Sequence, residues 1–345
     1  LVQDVSYQEM AMVNNEINIA ATLVSRNFWA KYFFITYQYL KKRLENPEWF
    51  LMVIMSRFKA VPLLKSFFVQ PQRIEINQAT HSLFDIEVDD VVESLKKDSF
   101  SLGLKLPQSI LQEILQFASS TDCYGDGEHH LGFYYTEKEK AESKCGRTFK
   151  RGDYFNSNLL CPAIKKLAND PKLLEIATKY LGGTPVHTGS RLWWLFSLKE
   201  QEQYLLLEKM RFLSLQGSSR EGAYFFHYDL DDYQFLKFFF YLTDTDVYSG
   251  AHVCVRGSHK KKKLAHLLSF FRRSSDEEIV DYYGAENVVP ICGDAGFGFA
   301  EDTFCFHKAM IPTRKDRLML QIQFARKNYG NHNDLVDPSV LKRCL

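Results

Sequence analysis

The chain has 345 residues, 46% hydrophobic and 25% charged, and a formal net charge of +1. That composition suits one large globular domain, or one domain with an extension, and excludes long disorder. A balance so near neutrality gives no global field for nucleic acid or an anionic membrane, and seven scattered cysteines, never in a C-x-x-C pair, read as reduced thiols of a cytoplasmic protein.

Residues 1–80 read as a helical N-terminal extension rich in aromatics. Asn46-Pro47 breaks its periodicity, and its helices are the expected contact surface for a homo-oligomer. Charges at Arg26, Lys31, Arg57 and Lys59 flank or interrupt the apolar stretches Phe28–Tyr39 and Trp49–Met55. Neither therefore reaches the length of a membrane span.

From residue 85 the pattern sharpens. "VDDVVESLKKDSF" predicts a short amphipathic helix and "SFSLGLKL" a strand. Pro107 then opens a helix with Ile110, Leu111, Ile114 and Leu115 on one face. Residues 120–155 are polar and rich in Gly, Lys and Glu, which suggests a long loop or lid. His129-His130 lies there without a third metal partner and reads as loop surface. Asp170-Pro171 opens a further helix that ends near Gly182-Gly183. From there to residue 328, aromatic and β-branched runs separated by Gly, Asp and Ser predict strands of a sandwich or barrel. Residues 329–345 read as a polar C-terminal tail.

The chemistry concentrates in "FFHYDLDDYQFLK" and, some eighty residues later, "FCFHKAMIPTRKDRL". In a strand, residues two apart share a face, so His227 and Asp229 can both aim into a barrel while Tyr228 points away. A second imidazole from a distant strand would complete a facial set of two histidines and one carboxylate, the donor set of non-haem Fe(II). His307 is the candidate. An oxo acid chelating such a metal leaves a far carboxylate that needs a fixed cation. Arg317, ten residues after His307 and beyond a turn, offers a guanidinium suited to bidentate pairing.

H-x-D, a distal His and an Arg ten residues later resemble the phytanoyl-CoA dioxygenase family of Fe(II)/2-oxoglutarate oxygenases. "GAHVCVRGSHKK", "FLKFFFYLTD" and "DDVVESLKKDSFSLGLKLPQSILQEI" are similar to further segments of that family. The resemblance covers roughly residues 85–328, within an expected oxygenase domain of 81–328. It implies a mainly β double-stranded β-helix (jelly roll, cupin-like) with flanking helices, Fe(II) held by His227, Asp229 and His307, and 2-oxoglutarate held by Arg317. It also implies oxidation of a small-molecule substrate by O2, with 2-oxoglutarate converted to succinate and CO2. Tyr224, Tyr233 and Lys237 are further co-substrate candidates. Some members carry a Ser two residues after the distal His, where this chain has Ala309. Asp229 favours hydroxylation over halogenation, since related halogenases put a small residue at that position.

Blander readings stand beside these. A single His in an aromatic strand is ordinarily a core residue, and it is the ordered set that points to metal. His259 reads as structural, and His252 as structural or pocket-lining. Trp193 and Trp194 serve a pocket or the core. Lys260–Lys263, with Arg256, Arg272 and Arg273, read as a solvated face, with a phosphate or CoA patch as the sharper alternative. No nucleic-acid partner is expected, because the basic residues lack aromatic interleaving. Two rival functions remain: a jelly-roll binding module without catalysis, and a cupin-type metalloenzyme that uses no 2-oxoglutarate.

Overall fold

A computed structural model describes residues 46–57, 81–199, 202–203, 222–268, 273–330 and 334–345. The chain divides into two compact units, Leu1–Ile54 and Met55–Leu345. The helices expected in 1–45 and 58–80, and Arg272, lie outside the described residues. The helix Pro47–Ser56 spans the boundary between the units. No helix among the described residues is long and apolar enough to cross a membrane.

The second unit begins as its sequence predicts. Val88, Val91, Val92 and Leu95 recur at helical spacing and bury one stripe of the helix Val88–Asp98. Strand β1 (Phe100–Lys105) follows, and Gly103, at φ 95°, sits at a bulge that breaks its alternation. The helix Gln108–Ser120 starts directly after Pro107. Asp170 caps the helix Pro171–Leu181 by accepting from the Lys172 and Leu173 amides.

The lid expected over 120–155 is instead woven into a sheet. It contributes β2 (Cys123–Gly125), β3 (Gly132–Phe133), the helix Lys138–Cys145 and β4 (Arg151–Tyr154). Its few apolar residues explain the difference, because Cys123, Phe133, Phe149 and Tyr154 all fall at buried positions. Composition averages over such sparse anchors.

The remaining strands are β5 (Val186–Leu195), β6 (Phe226–His227), β7 (Phe235–Tyr241), β8 (His252–Val255) and β9 (Arg273–Ser274). They continue with β10 (Val288–Ile291), β11 (Phe297–Glu301), β12 (His307–Ala309) and β13 (Arg317–Ala325). One sheet has the order β1-β11-β7-β13-β5-β4-β2-β3 and the other β10-β8-β12-β6-β9. Every pair of named strands is antiparallel. Two antiparallel sheets with helices on the larger one make the expected double-stranded β-helix.

The larger sheet is buried on both faces. Its outer face presents Phe238, Phe240, Leu318, Leu320, Ile322 and Phe324, all fully buried in one core with the helices. Each such side chain contributes about 2–3 kcal/mol of burial. Its inner face carries Phe239, Tyr241, Phe299 and Met319, in a separate cluster with Cys254 and Cys305 of the smaller sheet's side. Trp194 belongs to the outer core, its indole donating to the Tyr154 hydroxyl at 3.0 Å, whereas Trp193 is half-buried on the inner side. The C-terminal residues run back along the sheet, where Cys344 N–H donates to the Gly132 carbonyl at 2.9 Å.

The lysine run departs from a purely solvated face. Lys260 and Lys261 are exposed, but Lys262 is buried, with its ammonium over the rings of Tyr228, Phe304 and Phe306 at 4.6, 4.7 and 4.2 Å. Its Nζ donates to the Ser258 carbonyl at 3.1 Å. Three ring faces supply the negative potential that a lysine in a charge run would otherwise take from water.

Candidate metal centre

Two adjacent short strands build the site. In the smaller sheet β6 lies beside β12, and His227 is directly opposite His307. Their rings approach to a centroid distance of 4.3 Å. Strand β6 ends at His227, so Asp229 lies not within the strand but in the segment after it, where its N–H donates to the Thr303 carbonyl at 2.8 Å. Strand β12 likewise begins at His307 rather than running through "TFCFHKAM". Both histidines therefore stand at strand ends, where backbone geometry can bend to converge side chains. One donor atom from each of His227, Asp229 and His307 lies within 4.8 Å of the others.

The ring nitrogens are oriented. His227 Nδ1 donates to the Phe225 carbonyl at 2.9 Å, and His307 Nδ1 to the Cys305 carbonyl at 3.1 Å. Donation from Nδ1 leaves the lone pair of each neutral ring on Nε2, as a metal requires. Asp229 Oδ2 stands 3.6 Å from His307 Nε2 and accepts from Lys237 Nζ at 2.7 Å. Two imidazoles and one ionised carboxylate suit a divalent first-row metal.

Lys237 is the buried counter-charge. It lies on β7 with its ammonium also 2.9 Å from Asp231. Burial works to lower its pKa, but the Asp229 and Asp231 carboxylates outweigh that and raise it. Burial likewise works to raise the Asp229 pKa, and Lys237, His307 and His227 pull it well below the usual carboxylate range. Burial disfavours a charged His307, yet Cys305, Asp229 and Glu301 raise its pKa to about 9.

Behind His307 sits a polar group that no motif announced. Glu301 on β11 is fully buried, accepts from the Cys305 thiol at 3.1 Å, and stands 2.8 Å from His252 Nε2. That last contact lacks hydrogen-bond geometry, and burial lowers the His252 pKa. His252 stacks on His307 at 5.4 Å. His252, Cys254 and Glu301 are also close enough to hold an ion, as are Glu301, Cys305 and His307. Burial and the neighbouring Cys305 push the Cys254 thiol well up, which keeps it protonated and a poor ligand.

Arg317 opens β13 on the inner face and is 2% exposed. One guanidinium nitrogen donates to the Gly250 carbonyl, while Nε has no partner. No ion pair joins Arg317 to a carboxylate among the described residues. Burial lowers its pKa. Its charge acts on His252, which stacks on His307. Tyr224 is buried beside Leu195 and Leu198, with Ala309 and Ile311 packed against them. Tyr233 is half-buried in the turn beyond Asp229. His259 Nε2 donates to the Lys96 carbonyl at 3.3 Å, consistent with the structural role expected. Only strand register could have revealed Glu301, His252 and the double pairing of Lys237.

No family model matches the chain, and no curated protein matches it. Solved structures do resemble it. HygX from Streptomyces hygroscopicus, with nickel, 2-oxoglutarate and hygromycin B bound, is 13% identical over 74% of this chain and 94% of its own, with a TM-score of 0.46. SnoN, a non-haem alpha-ketoglutarate-dependent epimerase from nogalamycin biosynthesis, is 14% identical over 69% and 82%, at 0.45. AviO1 from Streptomyces viridochromogenes Tue57 is 13% identical over 71% and 96%, at 0.42. At scores and identities this low the likeness decides nothing about chemistry, which the side chains themselves must carry.

Proposed function

We propose that residues 81–328 form a non-haem Fe(II)/2-oxoglutarate-dependent oxygenase similar to the phytanoyl-CoA dioxygenase family. Its overall reaction would oxidise a small organic substrate with O2 while 2-oxoglutarate becomes succinate and CO2. His227, Asp229 and His307 would hold the metal, whose open positions would supply chelation of the oxo acid and reaction with dioxygen. Lys237 holds Asp229 ionised and aimed, and the two carbonyl-bonded imidazoles keep Nε2 turned to the metal. An intact Asp229 favours hydroxylation over halogenation.

The observation that carries the co-substrate is Arg317. A guanidinium this buried, with no carboxylate beside it among the described residues, is costly unless an anion arrives. The far carboxylate of 2-oxoglutarate has the charge and planarity to pair with it, in a charge-assisted contact worth about 1.5–3 kcal/mol. Tyr224 is the candidate to contribute a hydroxyl there, in place of the one Ala309 lacks. A cupin-type enzyme without an oxo acid would leave the Arg317 charge unanswered.

Anaerobic titration of metal-free protein with Fe(II), then 2-oxoglutarate, tests this through the visible charge-transfer absorption of the chelate. A saturable band should form, vanish in Asp229→Ala, and need roughly tenfold to hundredfold more 2-oxoglutarate in Arg317→Ala. Iron binding without the band would favour the cupin-type reading. Failure to bind iron would leave a binding module.

A further inference from the structure

The inner face of the larger sheet continues past the metal centre as a row of polar side chains. Glu301, Lys237, Gln323 and Gly189 are directly opposed across β11, β7, β13 and β5. Two residues along, Phe299, Phe239, Gln321 and Arg191 oppose each other in the same way. The next row brings Tyr241, Met319, Trp193 and Asp153 together across β7, β13, β5 and β4. Directly opposed residues point to one face, so Lys237, Gln323, Gln321, Arg191 and Asp153 form one polar track. Gln321 Nε2 donates to Gln323 Oε1 at 3.4 Å within it.

The track leads into a cleft of about 390 Å³ whose walls include Asp126, Arg151, Asp153, Phe155, Arg191 and Asp334. Asp153 is the hinge of its charges. It accepts from Arg151 Nε at 2.6 Å and lies 3.5 Å from an Arg191 nitrogen. Arg191 is also over the ring of the half-buried Trp193 at 5.5 Å. Arg191 lies two strand spacings across and two residues along from Lys237, about 12 Å.

We propose that this site takes a neutral polyhydroxylated substrate, such as a sugar or cyclitol. Its hydroxyl-bearing part occupies the Arg151–Asp153–Arg191 cleft and reaches the triad over Gln321 and Gln323. A hydroxyl both donates and accepts, and a paired Arg and Asp offer both partners a few ångströms apart. An anion would have to displace Asp153 from two guanidinium groups. An acyl chain would strip water from these charges and return nothing. As a substrate site this rests on the oxygenase reading; as a polyol site it does not.

Saturation-transfer NMR on the metal-free protein tests it with methyl β-D-glucopyranoside, maltose and myo-inositol, against octanoate and glycine. At least one polyol should take up saturation at its ring protons. Its dissociation constant should rise about tenfold or more in Arg191→Gln, with melting temperature followed in parallel. Arg191 is partly exposed, so its variant keeps the fold. No transfer to any polyol, transfer indifferent to Arg191→Gln, or transfer to octanoate or glycine alone would overturn the proposal. Polyol binding in a protein that fails the iron titration would keep the cleft and remove the oxygenase.

Discussion

The two faces of the larger sheet are made by the same strands and do opposite things. On the outer face of β7, Phe238 and Phe240 meet helices in an apolar core. On the inner face of the same strand, Lys237 is buried against two carboxylates. Strand β13 repeats the division, with Leu318, Leu320 and Ile322 outward and Arg317, Gln321 and Gln323 inward. Stability and chemistry are therefore separated by single-residue alternation, and a one-residue slip would exchange them.

The largest break in that comparison comes from the outer face. Phe240 is fully buried, stacks on Phe84 at 5.8 Å, and lies 2.4 Å from where a Cβ on Gly298 would stand. Phe240→Ala should cost about 3–5 kcal/mol in denaturant unfolding while leaving the iron affinity of the folded fraction unchanged. A matching fall in iron affinity would mean the faces are not independent.

The inner face should respond the other way. Lys237→Met leaves Asp229 and Asp231 without their ammonium and should cost roughly 2–3 kcal/mol, discounted for the partial exposure of both acids. Added Mn(II) should raise the melting temperature of this variant more than that of the unsubstituted protein, because the cation replaces the missing charge. Equal shifts would show that Lys237 does not balance the metal site.

The smallest effect sharpens the contrast from outside both faces. Burial lowers the His259 pKa to about 4. The unfolded chain takes up that proton near the ordinary value of about 6.5, so stability falls as pH drops from about 6.5 to 4. His259→Gln should flatten that slope, without altering 2-oxoglutarate affinity at neutral pH. An unchanged slope between those pH values would rule His259 out as its source.

Much of this was written locally. Valine spacing set the helix Val88–Asp98, Asp170-Pro171 began another, and H-x-D with a distal His marked the residues that strands β6 and β12 bring together. Local pattern was enough there because a cap or a periodicity acts over a few neighbours. It misjudged residues 120–155, where a handful of buried anchors outweighs a polar composition, and Lys262, which three rings drawn from distant segments enclose. What only the tertiary structure decided were the pairings across strands: Glu301 behind His307, Lys237 between two acids, Arg317 buried without a carboxylate, and Arg191 in line with Gln321. A sequence fixes which way a side chain points along its own strand, but which strand lies opposite, and in what register, depends on the packing of the whole sheet.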